Sequence, residues 1–174
     1  MCGICGELRF DGQSPDLKQI QSMMKELEKR GPDHGGTYSD GPLGMGHRRL
    51  SIIDLTEHAN QPMVDQELGL SLVFNGTIYN YPELREELTA MGYHFFSTGD
   101  TEVILKAFHA WGEQCVERLS GMFAFAVWDM AKQRLFLARD RFGIKPLYYA
   151  YEHGRFLFAS NTQALLAAGG VDTR

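Results

Sequence analysis

Residues 121–160 have the sequence GMFAFAVWDMAKQRLFLARDRFGIKPLYYAYEHGRFLFAS. Four short apolar runs, FAFAVWD, RLFLARD, PLYYAYE and RFLFAS, alternate here with turn-forming residues at the regular spacing of an antiparallel meander. Upstream, helical and strand-like patterns occur in blocks and do not alternate strictly. This arrangement favours an α+β fold class, with antiparallel sheets packed inside helices, over a doubly wound parallel sheet. Periodicity alone does not give the number of sheets.

The upstream blocks divide into strands and helices by their hydrophobic period. Period-two patterns predict a strand at 4–10, two strands within 36–55 of which the second is 43–55, and a strand at 70–80 that is broken at Asn75-Gly76. Period-3.6 patterns predict three helices. They are a helix capped by Ser14 that starts at Pro15 and ends before Gly31, a helix from Asn80-Tyr81-Pro82 to Gly92, and a helix after Asp100-Thr101.

Composition limits the class of protein. The 174 residues are 44% hydrophobic, which is enough for one sizeable core and predicts a single domain. A formal net charge of −5 provides no broad basic face, so nucleic acid is not expected as a partner. The longest apolar run, MFAFAVW, is far shorter than the roughly 20 residues that cross a bilayer, and no signal-peptide pattern opens the chain. We therefore expect no membrane association and a cytoplasmic location.

The three cysteines, Cys2, Cys5 and Cys115, are an odd number in a domain large enough to fold without disulfides, so we expect reduced thiols. Cys2 and Cys5 have the C-x-x-C spacing of a dithiol redox site, although such cysteines normally open a helix. A structural zinc ion needs four ligands, and the chain has no second C-x-x-C and no H-x-x-x-H. The sequence therefore predicts no metal site and makes redox chemistry the less favoured interpretation.

The position of Cys2 suggests a third interpretation. Removal of Met1 would leave a thiol and a free α-amino group on the same residue. An α-amine has an ordinary pKa of about 7.7 to 8.0, so it can accept the thiol proton near neutral pH. This is the arrangement of an N-terminal nucleophile. For Cys2 taken alone, a small buried apolar residue at the start of a strand is the simpler alternative.

Three other segments supply groups that suit a small zwitterion with a reactive amide. Asn75 and Gly76 offer a side-chain amide and an unobstructed N–H for an oxyanion, although Asn-Gly is also a common hairpin turn. Arg48 and Arg49 adjoin apolar residues, and a fixed guanidinium suits a carboxylate; a solvated surface arginine is the alternative. Asp100 precedes a predicted helix, where a carboxylate either caps the helix or binds an ammonium group.

Seven motifs together resemble one known family. They are CGICG, RGPD, GHRRLSIID, NGTIYN, TGDTE, LSGMFAFAVWD and ARDRFGIKPLYY. In this order and over nearly the whole chain they are similar to the glutaminase domain of class II glutamine amidotransferases, in the asparagine-synthetase-like family. The resemblance implies a four-layer αββα sandwich of the N-terminal-nucleophile (Ntn) hydrolase type. It also implies one glutaminase domain over residues 1–174, an excised or truncated piece from which a C-terminal ATP-dependent synthetase domain is absent.

The resemblance assigns roles residue by residue. Cys2 matches the nucleophile, and Asn75 and Gly76 match the oxyanion-hole donors. Arg49 matches the residue that binds the glutamine α-carboxylate, and Asp100 matches the residue that binds its α-ammonium. The strand that lines the pocket is matched by Leu50, Ser51, Ile52 and Ile53. A supporting turn is matched by Arg30, Gly31, Pro32 and Asp33, for which a simple helix stop is the alternative.

Thr77 departs from the family pattern. Much of the family has a glutamate directly after Asn-Gly, near the substrate amino group, and an uncharged Thr77 leaves more of that contact to Asp100. A small residue at this position is similar to the branch that amidates N-acetylglutaminylglutamine. The resemblance therefore suggests this dipeptide amidotransferase branch as a finer assignment.

The implied reaction is hydrolysis of the L-glutamine side-chain amide by Cys2, through a γ-glutamyl thioester, to glutamate and ammonia. The implied partners are L-glutamine and a synthetase domain. No cofactor is expected in this domain, because the chain has no phosphate-binding G-x-x-x-x-G-K-[ST] loop and ATP and magnesium belong to the synthetase domain. The ammonia acceptor, aspartate or a dipeptide, and a homodimeric state are left open. The alternative function is a catalytically silent binding or assembly module with the same fold.

Overall fold

The computed structural model describes residues 1–171, so the last three residues of the predicted domain, 172–174, lie outside the described part. Within this range the chain forms nine strands: β1 (Gly3–Arg9), β2 (His34–Asp40), β3 (Leu43–Arg49), β4 (Met63–Asp65), β5 (Leu70–Ile78), β6 (Gly121–Asp129), β7 (Arg134–Arg139), β8 (Tyr148–Glu152) and β9 (Arg155–Ala159). The α-helices are α1 (Leu17–Lys25), α2 (Tyr81–Ala90), α3 (Asp100–Trp111) and α4 (Thr162–Ala167). No helix in the described range combines the length and apolar character needed to span a membrane.

The strands form two antiparallel sheets. The five-stranded sheet has the order β2-β3-β1-β9-β8, and the four-stranded sheet has the order β4-β5-β6-β7. Every strand pair in both sheets is antiparallel, which confirms the α+β prediction over a parallel sheet.

The apolar core lies in three layers of contact between four layers of structure. Side chains of β1, β3, β5, β6 and β9 meet between the two sheets. Helices α1 and α4 cover the outer face of the five-stranded sheet, and α2 and α3 cover the outer face of the four-stranded sheet. Period-two alternation explains this distribution, because Ile4 points between the sheets while its neighbour Cys5 points toward α1. The order of layers is therefore helix, sheet, sheet, helix.

The predicted meander is divided between the two sheets. Its four strands form as expected, but β6 pairs with β7 in one sheet while β8 pairs with β9 in the other. The segment between Arg139 and Tyr148 carries the chain from one sheet to the other. Period-two alternation marks a strand but carries no information about which sheet it joins.

The first helix begins two residues later than predicted. Asp16, and not Ser14, is its N-cap, because the Asp16 carboxylate accepts a hydrogen bond from the Lys18 N–H at 2.9 Å. The helix also ends early, at Lys25, although Leu27 in the following turn is still fully buried. Helical spacing thus predicted the presence of this helix correctly but placed both of its ends wrongly.

The strand predicted at 43–55 stops at Arg49, and residues 50–55 form a loop. The pairing of β3 with its neighbouring strands ends here because the next backbone N–H groups bind other partners. The Ser51 N–H donates to the Asp33 carboxylate at 2.8 Å, and the Leu50 N–H donates to the Cys2 sulfur at 3.4 Å. The prediction of a pocket-lining strand over Leu50–Ile53 is therefore wrong in its secondary structure.

Strand β5 runs without interruption through Asn75 and Gly76, so the predicted break is absent. A Cβ atom at Gly76 would lie 2.3 Å from the Met122 carbonyl oxygen and 2.8 Å from the Phe123 Cα. Glycine is required here because the neighbouring strand approaches closely, and not because the chain turns.

Candidate active site

One cavity of about 280 Å³ lies where the start of β1, the end of β3, the second half of β5 and the start of α3 meet. Nine predicted site residues line it: Cys2, Arg49, Leu50, Ile52, Ile53, Asn75, Gly76, Thr77 and Asp100. Ser51 does not line it. Further lining residues that the sequence analysis did not predict as site residues include Gln61, Thr101, Met122 and Lys145.

Cys2 precedes β1 and is held on both its backbone and its thiol. Arg30 Nε donates to the Cys2 carbonyl oxygen at 3.1 Å, and the Leu50 N–H donates to the Cys2 sulfur at 3.4 Å. Burial raises the pKa of this thiol, while the Leu50 N–H and the nearby Arg49 charge act in the opposite direction. The thiol therefore requires a neighbouring base, or added positive charge, to ionise near neutral pH.

Asn75 supplies a buried donor that has no partner in the described chain. Its side chain is 1% exposed, points into the cavity region from β5, and leaves Nδ2 without a hydrogen bond. An unpaired buried amide is costly, so its retention indicates a bound group that completes it. An oxygen atom carrying negative charge fits this donor.

The backbone N–H of Gly76 points to the free edge of β5. Phe123 is opposite Gly76 on β6, but its own N–H and carbonyl bind Asp140 on the far side of β6. Gly76 and Phe123 are therefore a pair without mutual hydrogen bonds. Residues two positions away on either side direct their N–H groups to the same free edge, where Phe74 binds Gln61 at 2.6 Å and Ile78 binds Asp100 at 3.0 Å.

Arg49 presents a buried positive charge. It is 5% exposed, and its guanidinium donates to Asn60 Oδ1 at 2.7 Å, to the Thr56 carbonyl at 2.9 Å and to the Asp54 carbonyl. A guanidinium has five N–H donors, so these bonds leave two for a ligand. Its partners are neutral oxygens, and no carboxylate within residues 1–171 forms an ion pair with it. The arrangement suits an incoming carboxylate.

Asp100 presents a buried carboxyl group in the lining of the same cavity. It is 5% exposed and begins α3, whose N-cap is Gly99. Asp100 Oδ2 accepts the Ile78 N–H, so the carboxylate joins α3 to β5. Burial raises the pKa of this carboxyl although backbone N–H groups oppose the effect. An ammonium ligand would compensate the buried charge.

The RGPD turn supports the site from behind. Arg30 holds the Cys2 carbonyl, and a Cβ at Gly31 would lie 2.3 Å from the Arg48 carbonyl carbon and oxygen. Asp33 accepts the Ser51 N–H, which explains why Ser51 lies outside the cavity lining. The turn therefore fixes both Cys2 and the loop that follows β3.

Two missed residues are central to the cavity. Gln61 is buried and bridges Phe74 and Thr101, with Oε1 accepting from the Phe74 N–H and Nε2 donating to Thr101 Oγ1 at 3.4 Å. Lys145 is 7% exposed and follows β7 in the segment that connects the sheets. Gln61 lies in a polar loop before Pro62, where no periodic signal marks it, and Lys145 had a signal only in the GIKP motif.

The other cysteines do not support redox chemistry with Cys2. Cys5 is fully buried in β1 toward α1, with its sulfur 3.7 Å from the Gly46 carbonyl, and burial raises its pKa to about 12. Cys115 is buried under α3, and burial raises its pKa to about 12 as well. Both thiols stay protonated near neutral pH and are unreactive.

Comparison with solved structures identifies the class of fold. Glutamine phosphoribosylpyrophosphate amidotransferase from B. subtilis matches with a TM-score of 0.81 at 21% identity, over 97% of this chain and 44% of that chain. The allosteric regulatory enzyme of purine biosynthesis matches with a TM-score of 0.78 at 20% identity, over 97% of this chain and 43% of that one. The likeness confirms the predicted sandwich of antiparallel sheets between helices.

Sequence comparison identifies the family. Residues 1–174 match the family model described as a glutamine amidotransferase domain. Asparagine synthetase [glutamine-hydrolyzing] 3 of Bacillus subtilis is 42% identical over 100% of this chain and 29% of its own length. Putative asparagine synthetase [glutamine-hydrolyzing] 2 of Methanocaldococcus jannaschii is 37% identical over 100% of this chain and 36% of its own length. The chain therefore belongs to the glutamine amidotransferase domain family, among domains of the asparagine synthetase type.

This membership confirms the predicted family and the predicted enzyme class. The chain spans about 29% of the first of these relatives and 36% of the second. The finer assignment to the dipeptide amidotransferase branch stays a prediction.

Proposed function

We propose that this domain hydrolyses the side-chain amide of L-glutamine to glutamate and ammonia, with Cys2 as the nucleophile after Met1 is removed. The observation that carries the proposal is the unpaired, buried Asn75 Nδ2 in the cavity that the Cys2 thiol also lines. Without a ligand this N–H donor makes no hydrogen bond, and it can donate one to the oxyanion that forms when the amide carbonyl is attacked.

The chemistry follows from the groups in the cavity. The Cys2 sulfur attacks the amide carbon while the α-amine of processed Cys2 accepts the thiol proton. Asn75 Nδ2 and the Gly76 N–H stabilise the oxyanion of the tetrahedral intermediate. The intermediate collapses with transfer of the proton from the α-ammonium to the departing nitrogen, so ammonia leaves and a γ-glutamyl thioester remains. Water then hydrolyses the thioester, which gives glutamate and restores the thiol.

The two charged side chains fit the two ends of the amino acid. Arg49 binds the α-carboxylate through its two unused N–H donors, and Asp100 binds the α-ammonium. Thr77 lines the same cavity and adds no charge to the ammonium contact. Because the Cys2 thiol lies at a fixed distance from both charges, asparagine, one methylene shorter, cannot reach all three groups at once.

Met1 blocks the reaction as long as it is attached. It lines the cavity, and its sulfur lies 3.5 Å from Lys145 Nζ. In that state the nitrogen of Cys2 is a peptide N–H and cannot act as a base. A small residue at position 2 suits the cellular aminopeptidase that removes initiator methionine.

We further propose that the ammonia is used by an ATP-dependent synthetase domain outside this segment. The two relatives compared above are named glutamine-hydrolysing asparagine synthetases and extend well beyond the matched region. ATP and magnesium would act in that domain, and the glutaminase domain would need no cofactor of its own. The proposed location is the cytoplasm.

The test is intact-mass analysis with 6-diazo-5-oxo-L-norleucine, an electrophilic glutamine analogue. We expect loss of Met1 and one adduct per chain in the wild type and in Cys5→Ala, and no adduct in Cys2→Ala. Processed protein that neither takes up the analogue nor releases glutamate from glutamine would overturn the proposal. Glutamine-induced thermal stabilisation without adduct or turnover would instead identify the silent binding module.

A further inference from the structure

Lys145 is a buried cation in the cavity for which the described chain provides no anion. Its side chain is 7% exposed, and its Nζ has the Met1 sulfur, at 3.5 Å, as its hydrogen-bond partner. Within residues 1–171 no carboxylate forms an ion pair with it, whereas the similarly buried Lys106 binds Asp65 and Glu102, each at 3.1 Å. A buried charge without a counter-ion is unfavourable for folding, so its position calls for a functional explanation.

Hydrogen bonds from Asp140 and Arg139 fix the backbone of Lys145 and of the residues before it. The Asp140 carboxylate accepts the N–H groups of Phe142 at 3.1 Å, Ile144 at 2.9 Å and Lys145 at 3.0 Å. Arg139 Nε donates to the Lys145 carbonyl at 2.7 Å. These bonds fix the crossing segment between Arg139 and Tyr148, which carries the chain from one sheet to the other and places Lys145 in the cavity lining.

The charges around Cys2 are unbalanced in favour of the positive sign. Arg30 binds the Cys2 carbonyl from the turn after α1, Arg49 lines the cavity from β3, Asp100 lines it from α3, and Lys145 lines it from the crossing segment. In the proposed function, Arg49 and Asp100 each pair with one end of the substrate zwitterion. Lys145 is then the charged residue of the cavity lining that has no partner on the substrate.

We propose that Lys145 is a positioning residue whose positive charge favours the deprotonated form of the amino–thiol pair of processed Cys2. The inference rests on the proposed function. Lys145 Nζ already contacts the residue whose removal creates the amino group, so that removal frees Nζ in the same cavity. A like charge within ~6 Å lowers the pKa of an amine by about one unit or more, and the same charge favours a thiolate.

The experiment is the pH profile of glutaminase kcat/KM for processed wild type, Lys145→Met and Lys145→Arg. Exposed Lys18→Met is the matched control, because it removes one positive charge from α1 and does not line the cavity. We expect Lys145→Met to raise by about one pH unit the apparent pKa below which kcat/KM falls (the acidic limb of the profile), with activity recovering toward pH 9. Lys145→Arg and Lys18→Met should keep the wild-type limb.

Three results would overturn the inference. They are an unshifted limb in Lys145→Met, a rise in KM alone, which would make Lys145 a substrate-binding residue, and an equal loss at every pH in both Lys145 variants, which would make it structural. Wild-type protein without turnover and without the analogue adduct would refute the proposed function itself, so the two failures are distinguishable.

Discussion

Replacement of Asn75 by alanine measures how much of the catalysis depends on one preorganised donor. The side chain is 1% exposed and Nδ2 has no partner among residues 1–171, so no existing bond of Nδ2 is lost on truncation. Removing one oxyanion donor lowers kcat by about 10²–10³-fold, equivalent to about 2.7–4 kcal/mol of transition-state stabilisation. The Gly76 N–H remains and accounts for the residual activity.

The Michaelis constant provides the second half of this test. Arg49 and Asp100 hold the two ends of glutamine and are untouched by the substitution, so KM should change by less than about threefold. Stability should change little, because the lost packing is offset by relief of an unpaired donor that costs about 1–3 kcal/mol. Exposed Gln66→Ala, which also removes a side-chain amide, is the control.

The assay is glutamate release from glutamine by processed protein, with thermal unfolding of each variant measured in parallel. A kcat for Asn75→Ala within fivefold of the wild type would refute the oxyanion assignment. So would a loss that lies entirely in KM, because that pattern indicates ground-state binding.

Three further predictions concern charge, acid and packing. Asp100→Asn should raise KM by about 10–150-fold in glutaminase assays, because a charge-assisted hydrogen bond to the substrate is lost. Burial raises the pKa of this carboxyl, so the free energy of unfolding of the wild type falls as pH rises through that pKa. Thermal scans should therefore find the variant more stable than the wild type at pH 8 but not below pH 4. His47 is fully buried, and burial lowers its pKa to about 3. As pH falls below about 6.5, His47 is therefore protonated in the unfolded chain but not in the folded chain, which destabilises the fold. Urea titrations at pH 7 and pH 5 should find that the wild type loses ~2 kcal/mol more stability over this range than His47→Gln. Gly76→Ala should destabilise the fold by about 1–3 kcal/mol in urea titrations at pH 7, because its Cβ would collide with the Met122 carbonyl; an unchanged midpoint would contradict the close-approach explanation.

Local pattern predicted the strands well because side-chain alternation is a property of each strand alone. Residues 123–129 and 134–139 alternate as expected and form β6 and β7. The assignment of strands to sheets depends on tertiary contacts that no local period encodes, which is why the last four strands are divided between two sheets against the expectation of one meander.

Asn75-Gly76 illustrates the opposite limit. A dipeptide that favours a hairpin was read as a break, and the structure instead keeps it extended in the middle of β5. The need for glycine arises from Met122 on the neighbouring strand, more than forty positions away in the sequence. Local turn preference could not predict this, because the deciding contact exists only after β5 and β6 pair.

The candidate site was predicted through motifs, and the residues that support it were predicted only in part. The order of motifs indicated the lining residues Cys2, Arg49, Asn75 and Asp100, although their roles stay predictions. Gln61 has no motif, and its importance depends on hydrogen bonds to Phe74 and Thr101 that form only when the chain is folded. Support of this kind becomes visible only in three dimensions.

Along the free edge of β5, side chains bind the backbone groups on either side of Gly76, so that the Gly76 N–H can serve as an oxyanion donor while its neighbours are not left unpaired. Strand β4 pairs only with Leu70–Leu72, and beyond it the edge is capped by side chains. Gln61 takes the Phe74 N–H, His47 Nε2 donates to the Phe74 carbonyl at 3.0 Å, and Asp100 takes the Ile78 N–H. Gly76 lies between these two capped positions, so its N–H is left for a ligand. Individual capping, in place of a β4 long enough to pair with all of β5, thus protects the edge while leaving the position that catalysis requires.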